Sequence, residues 1–393
     1  MTKFHLWFPN IFEFKGGIQV YSAFLLEALQ HLYPQSSYDV FLKHDTRYPS
    51  DVTFPDNIRF HCSGKWNLRF RTYLFAFNLF YWGLIQQPDL IITTHLNFIP
   101  VAHGLKQLAG IPYWIVAHGV EAWNIQRPEL KRALRHADRI LAVSNYTRDR
   151  LLQEQNLDSD RISLLPNTFD GNRFKIIPKS PNLLQRHGLT PQHKIILTVA
   201  RLDSSERYKG YDKILYALAQ IRNCVPNVHY LLVGSGCDRD RVQRLVNQLH
   251  LQNCVTLVGF VPDEMLVDYY NLCDVFAMPS KGEGFGIVYL EALACGKPVL
   301  GGDRDGAIDA LCHGELGALV NPDDVGQIAR ALTQILQRAY PNPLFERGEL
   351  LREKVIDTYG FEKFKATLDN LIQNRFCQQT YVKLSPARKT GSG

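Results

Sequence analysis

A chain of 393 residues is long enough for two separate cores, and its 46% hydrophobic and 21% charged residues are ordinary for a soluble globular enzyme. Eight cysteines without a CxxC pair argue against a disulfide frame or a zinc site and favour a reducing compartment. The net charge of +6 comes with no recognisable nucleic-acid-binding module, so no nucleic acid partner is expected.

The first eight residues read as a strand. They carry neither a long apolar stretch nor a small-residue cleavage site, so no signal peptide and a cytoplasmic location are expected. Gly16 and Gly17 follow and precede a helical pattern over 18–32. Glycines at that point let backbone N–H groups face a phosphate or sugar, a plain turn being the alternative. Further strands are expected at 39–42, 90–93, 113–116 and 140–143. Between them, Lys65-Trp66-Asn67-Leu68-Arg69-Phe70-Arg71 leads into an aromatic-rich run over 73–85 that Asn78 interrupts. It is too short to span a bilayer and predicts a buried helix, with a peripheral membrane contact as the alternative. His118 ends a strand beside Gly119, a position that favours a ligand-facing imidazole, whereas His95 and His103 read as structural. The segment 127–150 holds seven Lys and Arg. A solvated helix face is the plain explanation, and contact with anionic lipid or an acidic acceptor is the other. Pro166, Gly171, Pro178, Pro181 and Pro191 mark a connector.

A second series of strands is expected at 195–200, 230–233, 255–257, 275–278, 298–300 and 318–320, again alternating with helices. Apolar strands separated by helices imply parallel, doubly wound sheets, and two such sheets leave a cleft at the carboxyl ends of their strands. Arg201 closes the first strand of this series, and Lys209 stands just before a helix near Tyr211. Two such cations suit a diphosphate, Arg by forked hydrogen bonds and Lys as a point charge, surface charges being the alternative. Glu283 and Glu291 flank the turn Gly284-Phe285-Gly286-Ile287, with a helix expected to start near Phe285. They lie too far apart to share a proton or metal, but suit the two ends of one elongated ligand such as a nucleotide sugar. Gly284 and Gly286 let a ligand approach the backbone, and the helix start offers N–H groups to an anion. The triplets at 238–240 and 303–305 read Asp-Arg-Asp; the first opens a helix, where acids serve as caps, and no metal is expected. A last helix is expected over 361–374, and 383–393 reads as a flexible tail.

Arg201, Lys209-Gly210, Val233-Gly234-Ser235-Gly236, Gly259-Phe260-Val261 and the Glu283–Glu291 segment occur in this order. The series resembles glycosyltransferase family 4, the group 1 enzymes of GT-B fold, most strongly over 195–324. The resemblance implies an α/β protein of two Rossmann-like domains facing a central cleft. An acceptor-binding domain would cover 1–170 and a donor-binding domain 171–360, with 361–380 returning to the first. It also implies a retaining hexosyltransferase of bacterial exopolysaccharide or capsule assembly, working on a nucleotide-sugar donor with no cofactor or metal. Arg201 and Lys209 would hold the diphosphate, Glu291 the ribose hydroxyls, and Glu283 and His118 the transferred sugar. Gly16, Gly17, Asn167, Gly284, Phe285, Gly286 and Ile287 would line the donor cleft. The chain departs from the family's commonest pattern in the wider Arg201–Lys209 spacing, which makes Arg207 a stand-in candidate, and in Asp309, where many members have Glu. UDP-glucose is the expected donor and GDP-mannose the alternative. The acceptor would be a glycan or a lipid-linked sugar, met at the inner face of the plasma membrane. An epimerase of the same fold and a non-catalytic glycan-binding scaffold are the competing functions.

Overall fold

A computed structural model describes residues 2–13, 16–49 and 54–384, with side-chain surroundings as far as residue 375. The tail expected at 383–393 therefore lies almost wholly outside the described residues. The first sheet and its helices run β1 (Lys3–Phe8), α1 (Gly17–Leu32), β2 (Ser37–Leu42), β3 (Ile58–Cys62), α2 (Leu68–Gln86), β4 (Leu90–Thr93), α3 (Ile99–Ala109), β5 (Tyr113–Ala117), α4 (Pro128–Arg135), β6 (Arg139–Ala142), α5 (Asn145–Gln155) and β7 (Ile162–Leu164). After α6 (Pro181–Arg186), the second unit runs β8 (Lys194–Val199), α7 (Tyr211–Cys224), β9 (Val228–Val233), α8 (Arg239–Gln248), β10 (Val255–Gly259), α9 (Asp263–Leu272), β11 (Val275–Met278), α10 (Ile287–Ala294), β12 (Val299–Gly302), α11 (Ala307–Ala310), β13 (Ala318–Val320) and α12 (Val325–Leu336). Helices α13 (Gly348–Tyr359) and α14 (Phe361–Leu384) complete the chain.

Each sheet is parallel throughout, in the order β3-β2-β1-β4-β5-β6-β7 and β10-β9-β8-β11-β12-β13. Central strands such as β4, β5 and β9 are buried along their whole length, as expected when helices cover both faces. The sequence reading lacks β3 and β7. The first is an edge strand of mixed polarity (Ile-Arg-Phe-His-Cys) and the second only three residues long, so neither carries a clear apolar signal.

The aromatic run after Lys65 does form a helix, but not a buried one. Only Phe75, Leu79 and Gly83 of α2 are buried, whereas Phe70, Tyr73, Phe77 and Ile85 are 58–76% exposed. The expectation of a buried helix is corrected accordingly.

The two units touch through backbone. Gly284 packs so closely on the end of β5 that a Cβ there would lie 1.6 Å from the His118 carbonyl oxygen. From the other side, a Cβ on Gly119, whose φ is +140°, would lie 2.8 Å from Gly284 Cα. Ser144 Oγ donates to the Gly284 carbonyl at 2.6 Å while its own oxygen caps α5 by accepting from Thr147 N. Asp309 ties the same surfaces together, accepting from Asn145 Nδ2 at 2.6 Å and Tyr146 N at 3.1 Å. Behind this contact α14 lies on α1, with the Tyr21 ring edge-on to both Phe364 and His118 and Tyr33 Oη donating to Asp369 at 2.6 Å. Arg352 pins the connector, donating to the carbonyls of Gly171 and Ala294 at 2.6 Å.

Because Gly284 is required by this contact, Gly284→Ala should hold the two units apart while leaving each folded. Small-angle scattering should show a larger radius of gyration with an unchanged circular dichroism spectrum. An unchanged radius would mean that the backbone contact does not set the arrangement.

Candidate functional site

Between the units lies a cavity of about 240 Å³, lined from the first by Gly17, His118, Glu121 and Asn167 and from the second by Arg201, Glu206, Tyr208, Lys209 and the turn 282–288. The carboxyl ends of β1, β5 and β8 deliver the first of these residues, as in open α/β sheets generally. Gly17 opens α1 with free space where a Cβ would be. Gly16, at the N-cap with an extended backbone (φ −157°) that any residue adopts, is not in the cavity's lining. The loop leading to them is tied down by buried Asp45, whose carboxylate accepts from Ile11 N at 2.7 Å and Glu13 N at 2.9 Å.

Four charged side chains form a chain along one wall. Arg201 Nη2 meets Glu206 Oε1 at 2.8 Å, Lys209 Nζ lies 3.4 Å from Glu206 Oε2, and the same ammonium lies 2.9 Å from Glu283 Oε1. Burial works against the Lys209 charge, but Glu283, Tyr208 and Glu206 outweigh it and hold the ammonium well above its usual pKa. Arg207 is directed elsewhere, with Nη2 on Asp238 at 2.6 Å, so Lys209 rather than Arg207 is the cleft lysine-side cation. Asp238 begins α8 without making a side-chain cap, correcting that expectation. It instead gathers Arg207, Arg241 and Tyr211, and remains well below the usual carboxylate range although burial opposes this.

The opposite wall is His118, Glu121 and Asn167. Burial depresses the His118 pKa to about 3, so the imidazole is neutral, and its Nε2 has no protein partner. Asn167 Oδ1 is likewise buried without a partner, which leaves both atoms hydrogen-bonding capacity for a ligand. Glu121, absent from the sequence reading, accepts from His118 N at 2.6 Å, and burial raises its pKa. The only sequence signal for it was its place three residues after His118.

The turn between the glutamates is held by Asp305, another residue whose role was not read from sequence. Its buried carboxylate accepts from Ser280 Oγ (2.7 Å), Gly282 N (2.8 Å), Glu283 N (2.8 Å) and Ala307 N (3.0 Å). Helix α10 starts at Ile287, two residues later than expected, and Gly286 precedes it with φ +90°. The glycines of this turn thus have other duties than admitting a ligand. Gly284 is needed for the contact between units, and Gly286 for its left-handed backbone beside Tyr289. Gly286, Ile287 and Val288 line the cavity, which puts the start of α10, where the first N–H groups lack intrahelical acceptors, at its wall. Phe285 lines it too and packs edge-on against Tyr359.

Glu291 is not in this cavity's lining. It sits further along α10, accepting from Tyr270 Oη at 2.6 Å, and burial raises its pKa to about 7. Asp309 serves the contact between units rather than the cavity. Among the described residues no group of three or more His, Cys, Asp or Glu could hold a metal ion.

The profile described as "Glycosyl transferases group 1" matches residues 180–347, and that of "Glycosyltransferase Family 4" matches residues 15–173. A GDP-mannose-dependent alpha-(1-6)-phosphatidylinositol monomannoside mannosyltransferase from Mycolicibacterium smegmatis is 32% identical over 66% of this chain and 69% of its own length. The fold resembles that of sucrose-phosphate synthase from Thermosynechococcus elongatus, with a TM-score of 0.79 and 24% identity over 96% of this chain and all of that one. It also resembles Anabaena HepE in complex with UDP-glucose, with a TM-score of 0.73 and 18% identity over 94% of this chain and 99% of that one.

Replacing Asp305 by Ala would strand several buried donors at once, at a cost of roughly 2–4 kcal/mol. Thermal unfolding should show a lowered midpoint for Asp305→Ala and a smaller fall for Asp305→Asn, which keeps one acceptor oxygen. Equal midpoints for the wild type and Asp305→Ala would show that the turn is held by other contacts.

Proposed function

The chain belongs to the group 1 glycosyltransferases of family 4, with the GT-B fold, and on that premise we propose that it moves a hexosyl residue from a nucleoside-diphosphate hexose to a hydroxyl of a glycan or lipid-linked acceptor. One observation carries the reading. A pair of cations and the start of α10 converge on a cavity whose far wall is a neutral histidine with a buried, unpartnered nitrogen. Cations and helix N–H groups suit a diphosphate, and His118 Nε2 and Asn167 Oδ1 suit sugar hydroxyls.

In the proposed reaction the bond from the anomeric carbon to the diphosphate breaks as the acceptor oxygen bonds to that carbon on the same face. The departing phosphate oxygen takes the acceptor's proton, giving retention. Arg201, Lys209 and the α10 N–H groups stabilise the charge that builds on the leaving diphosphate. Glu283 faces positive charge at the anomeric carbon, and His118, neutral throughout, orients the sugar. A nucleotide-sugar epimerase would need no acceptor, so products formed without one separate the two classes.

The donor divides into two readings. The 32% identical relative is named as GDP-mannose-dependent, which supports GDP-mannose. UDP-glucose rests on likeness of fold to a protein solved with it, at 18% identity. Sequence likeness is the stronger support, so GDP-mannose is placed first and UDP-glucose second. Calorimetry with GDP, UDP and ADP, then the matching nucleotide sugars, should show one base bound, with binding kept in EDTA and weakened at least about tenfold in Lys209→Ala. Absence of binding by any nucleoside diphosphate would remove the basis for the proposed reaction.

Glu291 supplies a pH test. A carboxylate accepts two ribose hydroxyls, and with a pKa of about 7 it is mostly protonated at pH 6 and mostly ionised at pH 8. Nucleotide affinity should therefore rise about tenfold across that range. Titration of the nucleotide's own phosphate remains in Glu291→Gln, so the difference between the two profiles isolates the residue. Parallel profiles would mean that Glu291 does not meet the nucleotide.

A further inference from the structure

The first sheet breaks its apolar pattern at the end away from the cleft. Side chains at alternate positions of β1, β2 and β3 share one face of the sheet. On that face Trp7, Phe41 and His61 lie in register across the three strands, and Trp82 of α2 covers them, its ring 5.6 Å from that of His61. The row before this one is His5, Asp39 and Arg59, and before that come Lys3 and Ser37. Strands are apolar on both faces where helices cover them. Helix α2 ends at Gln86, and the polar rows beyond it line a cavity of about 460 Å³ together with Gln86, Asp56 and Asn57. This cavity lies at the amino ends of strands whose carboxyl ends face the cleft, about 17 Å away along β1. It is large enough to enclose a small ligand.

Hydrogen bonds inside the protein leave a set of acceptors on its wall. Gln86 Nε2 donates to Asp39 Oδ1 at 3.3 Å, which turns its own Oε1 to His5 Nε2 at 2.5 Å. The His5 proton therefore lies on Nε2, and Nδ1 is an acceptor. Burial lowers the His5 pKa to about 4, so the ring is neutral. His5 is only 1% exposed and its Nδ1 is buried without a protein partner, a vacancy that a ligand donor would fill. His61 Nε2 donates to the same Asp39 Oδ1 at 2.7 Å, which leaves Oδ2 for another donor. Asn57 spends its amide N–H groups on the Pro34 and Ser36 carbonyls, so Oδ1 is its remaining acceptor.

Cations stand beside these acceptors. Lys3 and Arg59 are exposed and line the cavity. Among the described residues neither the Lys3 ammonium nor the Arg59 guanidinium has a hydrogen bond or ion pair within the protein. Asp39 and Asp56 balance the two positive charges, so a bare anion gains little from the cavity as a whole. A ligand that joins a doubly charged anionic group to several hydroxyl donors matches both sets of residues. We propose that this cavity binds a small phosphate monoester of a polyol, with its phosphate on Lys3 and Arg59 and its hydroxyls donating to His5 Nδ1, Asp39 Oδ2 and Asn57 Oδ1. The site is separate from the cleft, and the inference goes beyond the transfer reaction and stands without it.

Calorimetry on the full chain tests it, with sorbitol 6-phosphate as the probe and inorganic phosphate and sorbitol for comparison. The ester should bind more tightly than either of these, and about tenfold or more weakly in Lys3→Ala/Arg59→Ala, which alters only exposed positions. His5→Phe, which removes the Nδ1 acceptor, should weaken the ester while leaving inorganic phosphate unchanged. Thermal unfolding establishes that each variant is folded, and Lys209→Ala in the cleft should bind the ester as the wild type does. Failure of the wild-type chain to bind the ester overturns the proposal, as does undiminished binding by folded Lys3→Ala/Arg59→Ala. Inorganic phosphate bound as tightly as the ester also overturns it, because the hydroxyl acceptors would then have no part. Loss of the ester in Lys209→Ala with retention in Lys3→Ala/Arg59→Ala would place it in the cleft and overturn the second site. Nucleotide calorimetry on Lys3→Ala/Arg59→Ala reads the transfer hypothesis separately, because neither residue lines the cleft.

Discussion

The arrangement of this protein depends on a backbone contact with no room for a side chain. At the end of β5, the His118 carbonyl and Gly119 meet Gly284, and the Gly284 carbonyl is taken by Ser144. One short turn thus serves three structures at once. It joins the two Rossmann-like units, places Glu283 against Lys209, and leads into α10 at the cavity. Nothing in the turn is regular secondary structure, so its shape is imposed by Asp305, which gathers a hydroxyl and three backbone N–H groups. A carboxylate can accept that many bonds where an amide side chain cannot, and full burial makes each of them costly to lose.

The fold was largely legible because parallel strands buried on both faces leave uninterrupted apolar runs. The strands that escaped, β3 and β7, lie at the two edges of their sheet, where one side of each has no neighbouring strand. The site was legible where chemistry dictates residue type at a strand end or helix start, as at His118, Arg201 and Lys209. Residues that act on other residues left little trace. Asp305 resembled half of a metal motif, Asp238 a helix cap, and Glu121 an unremarkable acid three positions past a histidine. Their functions depend on neighbours distant in sequence, such as Ser280 or Arg207, which periodicity does not identify. Glycine was read only in part for a related reason. Gly284 lines the cavity as expected, and its missing Cβ also admits another part of the chain.

Electrostatics in the cleft has a consequence for how a donor enters. Arg201 and Lys209 carry two positive charges, and Glu206 and Glu283 carry two negative ones, so the connected quartet is neutral as it stands. A diphosphate would add at least two negative charges to that balance. Bound beside an unchanged Glu206 it would face a carboxylate already paired with both cations, and repulsion between close like charges in a partly buried site costs several kcal/mol. Glu206 sits between Arg201 and Lys209, where the backbone departs from helical geometry (φ −111°, ψ 19°). In the proposed reaction Glu206 therefore leaves the two cations as the diphosphate arrives. At about 240 Å³ the cavity is below the ~300–1,000 Å³ of pockets that enclose whole ligands, so in the proposed reaction part of the nucleotide sugar lies outside it.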